Sequence, residues 1–138
     1  MSAPVVGILV GSESDRERMK AGLDELDARG IAWEFEVRSA HRNPDAVADY
    51  AKSAADRGIR VLICGAGLAA ALPGVVAAHT ELPVIGVPLR SSMSVLDGLD
   101  ALLSIVQMPP GVPVATVGVD NAKNAAVLAA RILALLPA

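Results

Sequence analysis

Five short runs rich in aliphatic residues, at 5–10, 33–37, 60–64, 84–87 and 114–119, alternate with longer stretches of helical pattern. No other feature of the chain narrows its fold so far. Runs of this length are strands rather than helices. Their regular alternation with helices is the signature of βαβ units and a parallel sheet. A parallel sheet is covered on both faces, so its strands read as nearly unbroken apolar sequence. "VVGILV", "RVLIC" and "PVIGV" read that way.

The segments between the runs carry helix punctuation. A helix is expected over 16–29, closed by Gly30 just beyond its end. Pro44 suits the first turn of a second helix, which ends at Gly58. A short helix over 74–79, one over 99–107 and a last one over 121–136 complete the set, with Asn121 a possible cap. Five strands with interleaved helices make a three-layer α/β sandwich. The chain stops after five strands, which favours the flavodoxin-like strand order 2-1-3-4-5.

The composition fits that frame. The 138 residues are 53% hydrophobic but only 2% aromatic, so the core is built of Val, Ile, Leu and Ala. One domain is expected at this length. A mean hydropathy of +0.48 is high for so small a domain and points to an oligomer. A formal charge of −3 argues against nucleic acid and anionic membranes as partners. No apolar run approaches the roughly 18 residues of a membrane span. The start, "MSAPVVGILVG", has no basic region of the kind a signal peptide carries. One cysteine, Cys64, makes neither an internal disulfide nor a paired zinc site. A cytoplasmic location is therefore expected.

In an open parallel sheet, ligands bind beyond the carboxyl ends of the strands, at the point where strand order reverses. The loops there are "GSESD", "SAHRNP", "GAGLAAALPG" and "PLRSSM". In the first, free N–H groups at a helix start, with the hydroxyls of Ser12 and Ser14, can cradle phosphate. Asp15 would repel phosphate but can accept from ribose hydroxyls. The competing reading is that Ser14 or Asp15 is simply the helix cap. In the second, the imidazole of His41 can give and take a proton near neutrality. The forked donors of Arg42 suit phosphate. A solvated loop histidine and a surface arginine are the plainer alternative.

The third loop formally matches GxGxxA through Gly65, Gly67 and Ala70. It is a poor dinucleotide fingerprint, because "LPG" at 72–74 interrupts the expected helix and no acidic residue ends a following strand. Its lack of side chains would let a ring lie against the backbone. Close helix–sheet packing would demand the same residues. His79 reads as a structural residue at a helix C-terminus. Met93 and Met108 read as packing residues, and Lys123 as solvated.

Taken together, "GSESD", "SAHRNP", "GAG…ALPG", "PVIGVP", "DGLDALLSIVQMPPGVPVATV" and "NAKNAAVLAARIL" resemble the PurE family, the N5-carboxyaminoimidazole ribonucleotide mutases of purine synthesis, in its class I-like form. The resemblance runs through essentially the whole chain in order. It implies a homo-octamer of flavodoxin-like subunits and an isomerase that needs no cofactor and no metal. The carboxylate of a phosphoribosyl aminoimidazole substrate moves from N5 to C4 by way of carbon dioxide. Carried over by position, Ser12, Ser14 and Arg42 bind phosphate and Asp15 the ribose. His41 is the acid and base. Gly65, Ala66 and Gly67 line the ring and carbon dioxide pocket, and Ser91 and Ser92 belong to a loop that closes over it.

The chain departs from the family's mutase pattern, GAGGAAHLPG, by carrying Leu68 for Gly and Ala71 for His. A second polar group beside the ring is therefore missing. The carboxylase branch, which uses free carbon dioxide, reads SAHK and AGRSN; this chain has Arg42 and no AGRSN. The direct carboxylase and a non-catalytic nucleotide-binding homologue are the alternatives to the mutase.

Overall fold

Val6–Val10 (β1), Trp33–Val37 (β2), Val61–Gly67 (β3), Val84–Leu89 (β4) and Ala115–Thr116 (β5) form one sheet in the order β2-β1-β3-β4-β5. Every strand pair is parallel. The computed structural model describes residues 2–137. Met1, which opens the "MSAPVVGILVG" stretch, and Ala138 lie outside the described residues. The helices are Arg16–Ala28 (α1), Pro44–Ala54 (α2), Leu72–Ala78 (α3), Leu99–Val106 (α4) and Ala122–Leu133 (α5). The expected three-layer arrangement and strand order are the ones observed.

Side chains along each strand alternate between two cores. Val6, Ile8 and Val10 of β1, Val61 and Ile63 of β3, and Ile85, Val87 and Leu89 of β4 meet α1 and α5. Leu9, Leu62, Cys64, Ala66 and Val84 point the other way, into the core with α2, α3 and α4. Small residues bring α5 close to α1. A Cβ on Gly22 would stand 2.7 Å from the Ala122 carbonyl oxygen. Gly30 and Gly58 end their helices at φ +68° and +101°, the left-handed region where glycine has no steric penalty.

Four expectations are corrected. β3 does not stop at Cys64, because Gly65, Ala66 and Gly67 continue pairing with Val87, Pro88 and Leu89. "LPG" does not interrupt a helix: Pro73 sits in the first turn of α3, where its missing N–H costs nothing. β5 is much shorter than the apolar run at 114–119, since only Ala115 and Thr116 find register partners on β4. Met93 is not a packing residue; it is 75% exposed in the loop after β4. Met108 does pack, its Sδ lying where a Cβ on Gly74 would be only 3.0 Å away. Among the described residues, no helix is long and apolar enough to cross a membrane.

Candidate active site

The loops after β1, β2 and β3 leave the same edge of the sheet, because the strands are parallel. They enclose a cleft of about 220 Å³. Gly11, Ser12 and Asp15 line it from the loop after β1, Ser39 to Arg42 from the loop after β2, and Ala66 and Gly67 from the end of β3. Ala69, Ala70, Ala71 and Leu72, leading into α3, complete it.

The loop after β1 is shaped by capping. Ser12 is the cap of a short 3₁₀ turn, Glu13–Asp15, that precedes α1. Its Oγ accepts from Ser14 N at 3.4 Å and lies 2.9 Å from Ser14 Oγ. Asp15 holds the cap position of α1 but makes no side-chain capping bond. So neither Ser14 nor Asp15 caps with its side chain, and the Asp15 carboxylate is left facing the cleft. Burial pushes that carboxyl above its ordinary range, against the pull of Arg18 and a backbone bond at Ser12.

The loop after β2 is a tight turn. Asn43 N donates to Ser39 O at 2.8 Å, and Arg42 N to Ser39 Oγ at 3.2 Å. His41 and Arg42 are both exposed. The loop thus brings an imidazole and a guanidinium to a cleft that also holds the Ser12 hydroxyl and the Asp15 carboxylate. The end of β3 offers almost no side chain, so a planar ring could rest on backbone.

The sequence-derived residues divide into two groups. Ser12, Asp15, His41, Arg42, Ala66 and Gly67 line the cleft together. Ser14, Gly65, Ser91 and Ser92 are not in its lining. Ser14 stands one hydroxyl away, behind Ser12. Gly65 lies within the sheet, where a Cβ would stand 2.7 Å from Met19 Sδ. Ser91 and Ser92 follow β4, in a turn closed by a bond from Ser91 N to Ser94 Oγ at 2.8 Å. Ser39 was missed; its place at the front of "SAHR", with a hydroxyl to brace the turn, was the available signal. His79 follows α3, where its backbone N–H donates to Val76 O. The Cys64 thiol is fully buried, and burial pushes its pKa up, away from reactivity. Among the described residues, no group of three or more His, Cys, Asp or Glu side chains could hold a metal ion.

The chain is similar to known proteins over nearly its whole length. A protein from Pyrococcus horikoshii named N5-carboxyaminoimidazole ribonucleotide mutase is 57% identical over 96% of this chain and 73% of its own length. A Thermotoga maritima protein of the same name is 58% identical over 96% of this chain and 76% of its own. A Schizosaccharomyces pombe protein named phosphoribosylaminoimidazole carboxylase is 57% identical over 97% of this chain but only 24% of its own length. The crystal structure of Treponema denticola PurE superposes with a TM-score of 0.83 at 36% identity, covering 97% of this chain and 82% of that one. The family model described as AIR carboxylase matches residues 5–137. With sequence, fold and strand order all pointing one way, the chain belongs to the AIR carboxylase family, the family of PurE.

Proposed function

We propose that this chain is an N5-carboxyaminoimidazole ribonucleotide mutase of purine biosynthesis, an isomerase acting as one domain over residues 1–138. The observation that carries the reading is that His41, Arg42, Ser12 and Asp15 line one cleft together with Ala66 and Gly67. Ser12, Ser14 and Arg42 take the phosphate, and Asp15 the ribose hydroxyls. The aminoimidazole ring lies against Gly65, Ala66 and Gly67. Ser91 and Ser92 close over it from the loop after β4.

The chemistry is a carboxylate shift with one proton given and one returned. The bond from N5 to the carboxylate carbon breaks, releasing carbon dioxide, while His41 protonates N5. C4 then attacks the retained carbon dioxide, and His41 takes the proton that C4 gives up. The imidazole ends as it began, so no cofactor is needed. A side chain in both roles needs a pKa near working pH, the range imidazole supplies. A small site holds the gas beside its acceptor and favours recapture over escape.

Relatives matched over most of both chains carry the mutase name, which supports the isomerase over the direct carboxylase. The carboxylase reading draws on the Schizosaccharomyces pombe relative, of which the chain covers 24%. Assembly as a homo-octamer in the cytoplasm fits a surface with Leu99, Leu103 and Val106 exposed along α4. The decisive assay compares product formed from the N5-carboxylated nucleotide with product formed from aminoimidazole ribonucleotide plus bicarbonate. The mutase turns over the first. Turnover of only the second pair overturns the isomerase reading. His41→Asn should abolish turnover while nucleotide still binds.

A further inference from the structure

His41 and Arg42 sit on an exposed turn, and a proton carrier works only if it is held at one height over its substrate. Two bonds within the turn, from Asn43 N and Arg42 N to Ser39, fix its shape. They do not fix its tilt against the sheet. The backbone bond that links the turn onward to α2, from Val47 N to Asn43 O, is long at 3.4 Å.

Ala40 packs on the core shared by the sheet and α2, and Arg38 adds a directional, polar restraint. Its backbone N donates to Val10 O at 2.8 Å, which extends the β1–β2 ladder by one rung. Its guanidinium Nη1 donates to Ala46 O at 2.8 Å in the first turn of α2. A carbonyl oxygen has two lone pairs, so Ala46 can accept this bond and its helical one. The guanidinium is itself held. Glu36 Oε1 accepts from its Nη2 at 2.7 Å and its Nε at 3.2 Å, and the Tyr50 ring centroid lies 5.3 Å from its Cζ. One side chain therefore staples the end of the sheet to the start of α2, with His41 on the chain between.

We infer that Arg38 is a positioning residue for His41, an inference that rests on the mutase reading above. It touches no substrate and acts only through the turn at 39–43. Three variants test it against the wild type: Arg38→Met, Arg38→Lys and Glu36→Gln, with His41→Asn as reference. Arg38→Met should lower kcat by about 10- to 100-fold, the range a displacement near 1 Å produces, and by more than it raises KM. Arg38→Lys, which keeps one donor, should recover part of the loss. Glu36→Gln leaves the bond to Ala46 in place and should keep kcat within about twofold.

A second readout needs no turnover. The chain has two histidines, so their imidazole nitrogen resonances separate readily. Arg38→Met should shift or broaden those of His41 and leave those of His79 in place. A variant that melts earlier, yet keeps wild-type kcat and unmoved His41 resonances, would make Arg38 a stabilising residue only and overturn the inference. If Arg38→Met does not fold, Arg38→Gln carries the same readouts. If His41→Asn retains turnover, the mutase reading itself fails, a result distinguishable from failure of Arg38 alone.

Discussion

The hydroxyl oxygens of Ser12 and Ser14 lie 2.9 Å apart at the entrance to α1, but only Ser12 caps the turn between them. The two are therefore separable by mutation. Ser12→Ala should cost about 0.5–2 kcal/mol of stability, the usual worth of a helix cap, and also raise KM. Ser14→Ala should raise KM several-fold with little change in urea midpoint. Equal stability losses in the two variants would contradict this division.

Asp15 lies in the cleft wall with a carboxyl that burial pushes above its ordinary range. For an acid, a raised folded pKa means that the ionised form is the less stable one in the fold. The penalty is present at neutral pH and disappears below the ordinary range, about pH 3.9. Asp15→Asn should therefore melt slightly later than wild type at pH 7 and no later at pH 3, while its KM rises. Calorimetry at the two pH values measures the first part, and steady-state kinetics the second.

Glu34 behaves in the opposite sense. Burial pushes its carboxyl up, but hydrogen bonds from Arg57 Nη1 and the Tyr50 hydroxyl, each 2.7 Å, outweigh it and leave the pKa lowered. A lowered folded pKa contributes stability that is fully present above about pH 4.3 and lost as pH falls through the folded value. Glu34→Gln should be less stable than wild type at pH 7, and the gap should narrow toward pH 3. Urea titrations at both pH values would show a constant gap if the charge were irrelevant.

Leu68 stands at φ 56° with 40% of its surface exposed. Left-handed backbone costs a side-chain-bearing residue about 1–2 kcal/mol, and at 40% exposure this side chain offsets only part of that by burial. Leu68→Gly should raise the unfolding free energy by up to about 1 kcal/mol once glycine's greater unfolded entropy is deducted. An unchanged or lower midpoint in urea would count against the strain.

Gly22 faces backbone, not a yielding side chain: its missing Cβ would stand 2.7 Å from Ala122 O. Gly22→Val should cost about 1–3 kcal/mol through overpacking between α1 and α5. The control is Lys20→Ala on the exposed face of α1, which should stay within about 0.5 kcal/mol.

Much of the fold could be read before the structure. Alternating runs foretold the sheet and its order, and Gly30 and Gly58 marked helix ends because only they reach those φ values cheaply. What escaped was pairing. Gly65 to Gly67 look like a loop, since glycine carries no strand signal, yet their backbone is claimed by β4. The run at 114–119 is as apolar as a strand, but β4 engages it only from Ala115 to Val117, the last through a single bond from Val117 N to Gly86 O. Sequence pattern reports which face a residue turns inward; it does not report whether a neighbour lies alongside. At the site, the chemistry-bearing side chains were visible in the motifs. The staple from Arg38 to Ala46 was not, because it depends on a guanidinium meeting a backbone carbonyl eight residues further on.

On the side of the sheet that carries α2, α3 and α4, Gly7 and Gly86 leave two hollows. The Tyr50 hydroxyl lies over the first; at the second, a Cβ would come within 2.5 Å of Ile105 Cγ2. Each hollow and its occupant form a lock and its bolt. A methyl group at 86 demands a shorter residue at 105, and a shorter residue at 105 alone leaves a void. Descendants of this sequence can change that layer only by exchanging such partners together, so laboratory evolution by single steps should leave both pairs untouched.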